Sequence, residues 1–197
     1  YGSRYGLVVS TGPLGLRDRA IKRLLDLVFA GLAPIVLSPL LALIALLVTT
    51  QDGGPAIFRQ RRLGRGNRFF SMYKFRTMKV SDADEDGHRS ASRDDDRVTR
   101  IGRFLRRTSL DELPQLINVV LGQMSIVGPR PHAIGSHAGD KYFWEVDRRY
   151  WQRHSLKPGL TGLAQVRGLR GATPEEMDLH LRLQADLEYL NGWSVWR

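Results

Sequence analysis

The sequence predicts a mainly α fold with one small β-hairpin, an α+β protein held on one side of a membrane by a re-entrant helix-break-helix and amphipathic interface helices. Three observations predict it. Leu27 to Val48 is a run of 22 uncharged residues containing Pro34 and Pro39. One stretch rich in β-formers folds back around "GRGN", and much of the remaining chain places apolar residues at helical spacing. A chain of 197 residues can bury one sizeable core, and nothing repeats at a fixed period.

The apolar run comes first. As a straight helix it would extend about 33 Å, roughly the hydrocarbon thickness of a bilayer. Pro39 removes the amide that would bond the Ile35 carbonyl and clashes with that turn, costing about 3 kcal/mol; Pro34 does the same to Ala30. Ser38 carries a hydroxyl able to satisfy a freed backbone group where water is absent. Both flanks are basic, with Arg17, Arg19, Lys22 and Arg23 before the run and Arg59, Arg61, Arg62, Arg65 and Arg68 after it. A spanning helix shows a basic excess on one side only, so the symmetry favours a segment that breaks at Ser38 and Pro39 and returns to the same face. A kinked spanning helix and a buried core helix are the other readings.

"AIFRQRRLGRGNRFFSMYKFRTM" reads as a hairpin turning at residues 64–67, with alternation placing Lys74 and Arg76 on one face of the second strand and Tyr73 and Phe75 on the other. Ser81 to Asp96 lacks an apolar period and reads as a mobile loop. Two helices follow between Arg97 and Gly122, the first facing inward with Ile101, Phe104 and Leu105, the second ending at Gly122 as a C′ residue. "VGPRP" is a stiff turn. "KYFWEVDRRYWQRH" spaces Phe143, Val146, Tyr150, Trp151 and His154 helically among cations, which suits either a membrane interface or a core-facing helix. Thr173, Pro174 and Glu176 predict a capping box with Pro at N1, opening a helix whose apolar face is Leu179, Leu183, Leu187 and Leu190.

The net charge of +10 and the absence of cysteine narrow the chemistry. Structural disulfides and thiolate metal sites are excluded, and the basic balance points to an anionic membrane surface or phosphorylated ligands. Nucleic acid is not expected, because no DNA- or RNA-binding motif accompanies the apolar run. No phosphate loop of the "GxxxxGKS" type, no "GxSxG" and no "HExxH" is present. The adjacent carboxylates Asp111 and Glu112 in "RRTSLDELPQL" have two readings. Ser109 and Glu112 fit a capping box; alternatively, a carboxylate beside Arg106 and Arg107, approached by the basic strand and "GPRP", stays ionised and is able to attack phosphorus or bind a divalent metal. Asp94 to Asp96, "DDD", resembles a metal-holding signature of nucleotide-sugar glycosyltransferases but reads better as a solvated loop. His132 and His137 lack carboxylates at ligand spacing and read as surface or packing residues.

Taken together, "KRLLDLVFAGLAPIVLSPLLALIALLV", "GPAIFRQRRLG", "FFSMYKFRTM", "RIGRFLRRTSLDELPQLINVVLGQMSIVGPRP" and "KPGLTGLAQVRG" resemble the bacterial sugar transferases, or monotopic phosphoglycosyl transferases, over most of residues 21–196. The resemblance implies transfer of a hexose 1-phosphate from a UDP-sugar, UDP-glucose or UDP-galactose, to polyprenyl (undecaprenyl) phosphate with release of UMP, the membrane step that starts exopolysaccharide assembly. It implies Asp111 as the nucleophile, forming a phosphosugar-aspartate intermediate, and Glu112 as its partner in binding Mg²⁺. Arg130 of "GPRP", Lys74 and Arg106 match cations lining the site; Lys157 and Gln165 are weaker matches toward nucleotide or lipid. The re-entrant break at Ser38 and Pro39 matches as well, and the family works at the cytoplasmic face of the bacterial inner membrane. Residues 1–20 are then a leader, 21–50 the membrane segment and 51–197 the cytoplasmic catalytic region, with a homodimer the expected association. The start at Tyr1, without a signal-peptide pattern, suggests a piece of a longer chain. Leu163 and Arg167 stand where relatives commonly carry Trp and Asn, which affects sugar or acceptor contacts more than the chemistry. Two other readings remain at this stage: a metal-dependent glycosyltransferase built on Asp94–Asp96, and a non-enzymatic basic membrane adaptor.

Overall fold

The computed structural model describes residues 15–79, 95–169, 171, 173 and 175–192. Helix α1 (Leu16–Val36) and helix α2 (Ser38–Asp52) meet at Leu37 and are bent against each other by 66°. Helix α1 therefore takes in the last residues of the predicted leader. Pro34 lies inside α1 and does not end it; the single break falls at Leu37, with Pro39 in the first turn of α2 where a missing amide costs least. The Ser38 hydroxyl donates to the Ile35 carbonyl at 2.8 Å, so the acceptor that Pro39 leaves orphaned is satisfied by the neighbouring side chain.

Both limbs of this bent pair dock on one body. From α1, Arg23 donates to the Val119 and Val120 carbonyls at 2.6 and 2.9 Å, and buried Asp26 accepts from the Ile126 amide at 2.9 Å and the Ser125 hydroxyl at 3.1 Å. Ala30 packs with Met72, Leu116, Val119 and Met124. From α2, Ile44 and Val48 pack with Phe75 and Leu105, and Arg76 ties down the helix end through the Val48 carbonyl and Asp52. Leu24, Val28, Phe29, Leu32, Ile35 and Val36 of α1 and Leu43 and Leu46 of α2 stay exposed, and apolar exposure on this scale marks an interaction face. No single helix among the described residues is long and apolar enough to cross a membrane, but the bent pair together is.

Strands β1 (Ile57–Leu63) and β2 (Phe69–Phe75) form the predicted antiparallel hairpin, joined through a 3-10 turn at Arg65–Asn67 in which Gly66 and Asn67 both take positive φ. Phe58 pairs with Lys74, Gln60 with Met72 and Arg62 with Phe70, so Arg62 and Lys74 share the inward face. Arg76 does not share it: the strand ends at Phe75 and the Arg76 side chain turns to α2.

Helix α3 (Arg100–Thr108) is capped by the Thr99 hydroxyl, which accepts from the Gly102 amide at 2.9 Å. A 3-10 turn at Leu110–Glu112 leads into α4 (Gln115–Val120), which ends at Gly122 with φ 79 as the sequence requires. Strand β3 (Ser125–Val127) pairs in parallel with β6 (Gly159–Thr161), while β4 (His137–Ala138) and β5 (Lys141–Tyr142) make a small antiparallel pair. The expected aromatic helix is instead a single turn, α5 (Phe143–Val146), followed by a 3-10 segment at Arg148–Ser155. Phe143 and Tyr150 pack with Ala138 and Leu179, which settles them in the core.

A short α6 (Leu163–Val166) precedes α7 (Glu176–Asn191). The capping box of α7 is Glu175 with Asp178, two residues later than the threonine-based box expected, and Thr173 instead donates to the His137 carbonyl. Pro174 and the acidic loop at 80–94 lie outside the described residues.

Candidate active site

The turn that carries Asp111 and Glu112 begins at Ser109, a non-glycine residue held at φ 59, and Ser109 makes no side-chain cap. The capping-box reading of Ser109 and Glu112 is therefore wrong: Ser109 is the left-handed C-cap of α3, and the Glu112 side chain is free to turn elsewhere. It turns to Arg130, which donates to its two oxygens at 2.5 and 3.4 Å. A left-handed non-glycine residue costs about 1–2 kcal/mol and marks a backbone over-determined by its surroundings. Here it reverses the chain between two helices and leaves the carboxylates at the junction.

Asp111 is 8% exposed and has no side-chain hydrogen bond or ion pair among the described residues. The charges acting on it are those of Lys74, Glu112, Arg106 and Arg130. Burial pushes its carboxyl up and the three cations only partly offset this. Burial also pushes Glu112 up, but Arg130, with Lys74 and Arg62, outweighs it and holds that carboxyl below its ordinary value. Two neighbouring carboxylates thus sit in opposed environments, one locked in an ion pair and one uncommitted, a separation that assigns different roles.

Lys74 arrives on β2 and is lowered from 10.5 to about 7 by burial and by Arg62 and Arg130, with Glu112 and Asp111 pulling the other way. Arg106, on the last turn of α3, is oriented by donating from Nε to the Thr77 hydroxyl at 2.9 Å. Arg130 rides on the Gly128–Pro131 turn. That turn is clamped to β6 by hydrogen bonds from the Gly128 amide to the Thr161 carbonyl and from the Gly159 amide to the Pro129 carbonyl, both 2.9 Å. A Cβ on Gly159 would stand 2.1 Å from the Gly128 nitrogen, so the two backbones meet only because neither residue has a side chain.

Asp111, Glu112, Lys74, Arg106 and Arg130 therefore converge. Lys157 and Gln165 do not join them. Lys157 lies beside Arg23, with Lys22, Asp26 and Arg65 also acting on it, toward the start of α1; Gln165, on α6, donates to the Leu160 carbonyl of β6 at 3.1 Å. Asp94 is outside the described residues, and Asp95 is bound by Arg97 at 2.6 and 2.8 Å, so that run does not stand open to a metal at Asp95. No cluster of three or more metal-ligating side chains occurs among the described residues. His132 is a packing residue, as expected, buried against Phe143 and Tyr150.

Two contributors escaped the sequence reading. Arg62 acts on both Lys74 and Glu112; extending the period-2 alternation across the hairpin to β1 would have found it. Asn118, fully buried on α4, accepts from the Tyr73 amide at 3.0 Å and donates to the Ser71 carbonyl at 2.7 Å. It fixes α4 against β2, and with it the carboxylate turn against Lys74.

An uncommitted carboxylate ringed by cations, on a body carrying a bent apolar helix pair, has the make-up of a nucleophilic site for phosphorylated substrates. The chain belongs to the bacterial sugar transferase family, whose model matches residues 17–197. It is 47% identical to an undecaprenyl-phosphate glucose phosphotransferase of Komagataeibacter xylinus, over 96% of this chain and 36% of the relative. It is 50% identical to a UDP-glucose:undecaprenyl-phosphate glucose-1-phosphate transferase of Caulobacter vibrioides, over 89% of this chain and 64% of that protein. An exopolysaccharide production protein, PSS, of Rhizobium leguminosarum is 45% identical over 90% of this chain and 89% of its own length. The chain thus spans little more than a third of the first of these and nearly all of the last.

Proposed function

We propose that this chain transfers glucose 1-phosphate from UDP-glucose to undecaprenyl phosphate, releasing UMP, at a membrane entered by α1 and α2 from one side. The observation that carries the chemistry is the uncommitted Asp111 beside the neutralised Glu112. An Asp111 oxygen attacks the β-phosphorus of UDP-glucose; the new oxygen–phosphorus bond forms as the bond to the UMP oxygen breaks, and UMP leaves with the electron pair. An oxygen of the lipid phosphate then attacks the same phosphorus, and the carboxylate departs regenerated. Lys74, Arg106 and Arg130 face the non-bridging oxygens, whose charge is what the protein must stabilise during phosphoryl transfer.

Asp111 and Glu112 fit a magnesium ion of the kind bound by one or two carboxylates and the oxygens of a diphosphate: Arg130 occupies one side of Glu112, and a carboxylate has about four lone-pair sites. Such an ion would neutralise diphosphate charge. Glucose is favoured over galactose because the relatives named for glucose are 46–50% identical, whereas one named a galactosyl transferase is 39% identical. The re-entrant geometry is supported by the 66° bend between α1 and α2 and by the docking of both limbs on one body.

The test is mass spectrometry of the protein mixed with UDP-glucose and Mg²⁺. A hexose-phosphate adduct on Asp111 is expected, and Asp111→Asn abolishes both adduct and UMP release. Full UMP release by Asp111→Asn would overturn the mechanism, and a preference for another UDP-sugar would overturn the substrate.

A further inference from the structure

Arg130 meets Glu112 from a turn that belongs to neither a helix nor a strand, so its backbone must be held by other means. The clamp to β6 fixes Gly128 and Pro129. Beyond them, the Arg130 carbonyl accepts from Arg153 Nη2 at 2.7 Å. Arg153 is 1% exposed and ranks first by volume among the fully buried side chains. Its Nε and Nη2 both donate to Asp186 of α7, at 2.9 and 2.6 Å, and its Nη1 donates to His132 Nδ1 at 3.0 Å. One turn on, the Tyr189 hydroxyl of α7 donates to the Val127 carbonyl at 3.1 Å. Helix α7 thus grips the turn from both ends.

A buried ion pair is a poor device for stability alone, because desolvating each ion costs several kcal/mol and apolar residues of similar volume do as well. What the guanidinium supplies is geometry: a rigid fork whose donors are divided among a carboxylate, an imidazole and one particular carbonyl, which a lysine cannot reproduce. That carbonyl belongs to the residue that neutralises Glu112.

We propose that Arg153, oriented by Asp186, is a positioning residue for Arg130, so that α7 sets the placement of the cation facing the transferred phosphate. The proposal rests on the phosphoglycosyl transfer reading above. The test is a double-mutant cycle on UMP release with UDP-glucose and undecaprenyl phosphate, using Arg153→Lys, Arg130→Lys and the pair. Arg153→Lys should lower kcat by about 10- to 100-fold, the scale of an ångström-level misplacement. The same substitution should cost little further when Arg130 is already lysine, as non-additivity between coupled residues requires. A role confined to stability predicts multiplying losses, and that result in an active, folded enzyme would overturn the proposal. If Arg153→Lys fails to melt cooperatively, Tyr189→Phe serves in its place. It loosens the other end of the turn, and a few-fold loss that disappears in the Arg130→Lys background is expected; a loss that persists there counts against the proposal. Wild-type protein that releases no UMP would instead overturn the function itself.

Discussion

Asp111 and Glu112 differ less in chemistry than in company, and Lys74 beside them turns that difference into a pH dependence. Asp111 must be ionised to attack, and burial raises its carboxyl, so the acid limb of kcat/KM should lie above the ordinary carboxylate range. Lys74 is a cation only below about 7, so the alkaline limb should begin there. Lys74→Arg, charged throughout, should lose the limb near pH 7; an unchanged limb would show that another group titrates. Stability runs the other way. The unfolded chain binds more protons than the folded one between about 7 and 10.5, so stability should rise with pH across that window, with Lys74 destabilising most below it. The acid pair and Arg130 were legible in the sequence because a contiguous motif carries them. Arg62 was within reach of the hairpin's alternation carried across to β1, whereas Asn118 was not legible, since its role exists only once α4 is laid across β2.

At the level of elements, the break at Leu37 was legible because proline chemistry is local: the orphaned Ile35 carbonyl and the hydroxyl that answers it lie three residues apart. The aromatic segment from Tyr142 to His154 was not, because its periodicity fits a helix while the packing of Phe143 and Tyr150 under α7 is better served by a turn and a 3-10 segment. Propensity is a weak prior that tertiary contacts override. The same competition decides what Pro39→Ala would do. The substitution returns an amide and removes about 3 kcal/mol of penalty on the straight helix. Contacts of Arg23, Asp26, Asp52 and Arg76 oppose straightening. Pro39→Ala should therefore move part of the population toward a spanning form, and adding Asp26→Ala should move more. The native chain has no cysteine, so single cysteines at Arg19 and Gln51 are unique accessibility probes. Both remaining accessible from the same side of the bilayer in the double variant would refute the proposed role of the break.

For the whole molecule, two forces hold the protein to a bilayer on this reading, and they respond differently to salt. The charge of +10 attracts anionic headgroups by about 1 kcal/mol for each basic residue near the surface. On the hairpin's outer face Arg59 lies over Tyr73 and Arg61 over Phe69, 5.6 and 4.5 Å from the ring centres, so those cations are presented rather than tucked away. Molar salt cuts the screening length to about 3 Å and should silence this attraction. The apolar surface of α1 and α2 is indifferent to screening, because each exposed leucine or phenylalanine buried in hydrocarbon contributes on the order of 1.5–3 kcal/mol whatever the ionic strength. A basic adaptor held by charge alone would therefore wash off in molar salt, whereas this chain should stay with the membrane and be released by detergent. Capture by vesicles should quicken with anionic lipid while retention should not depend on it, since steering acts on encounter and the inserted helices govern escape. Replacing Phe29, Leu32, Ile35 and Val36 by serine should reverse the outcome, leaving a protein that salt extracts. Release of the unaltered chain by salt would place the bent pair outside the bilayer and remove the basis for calling it re-entrant.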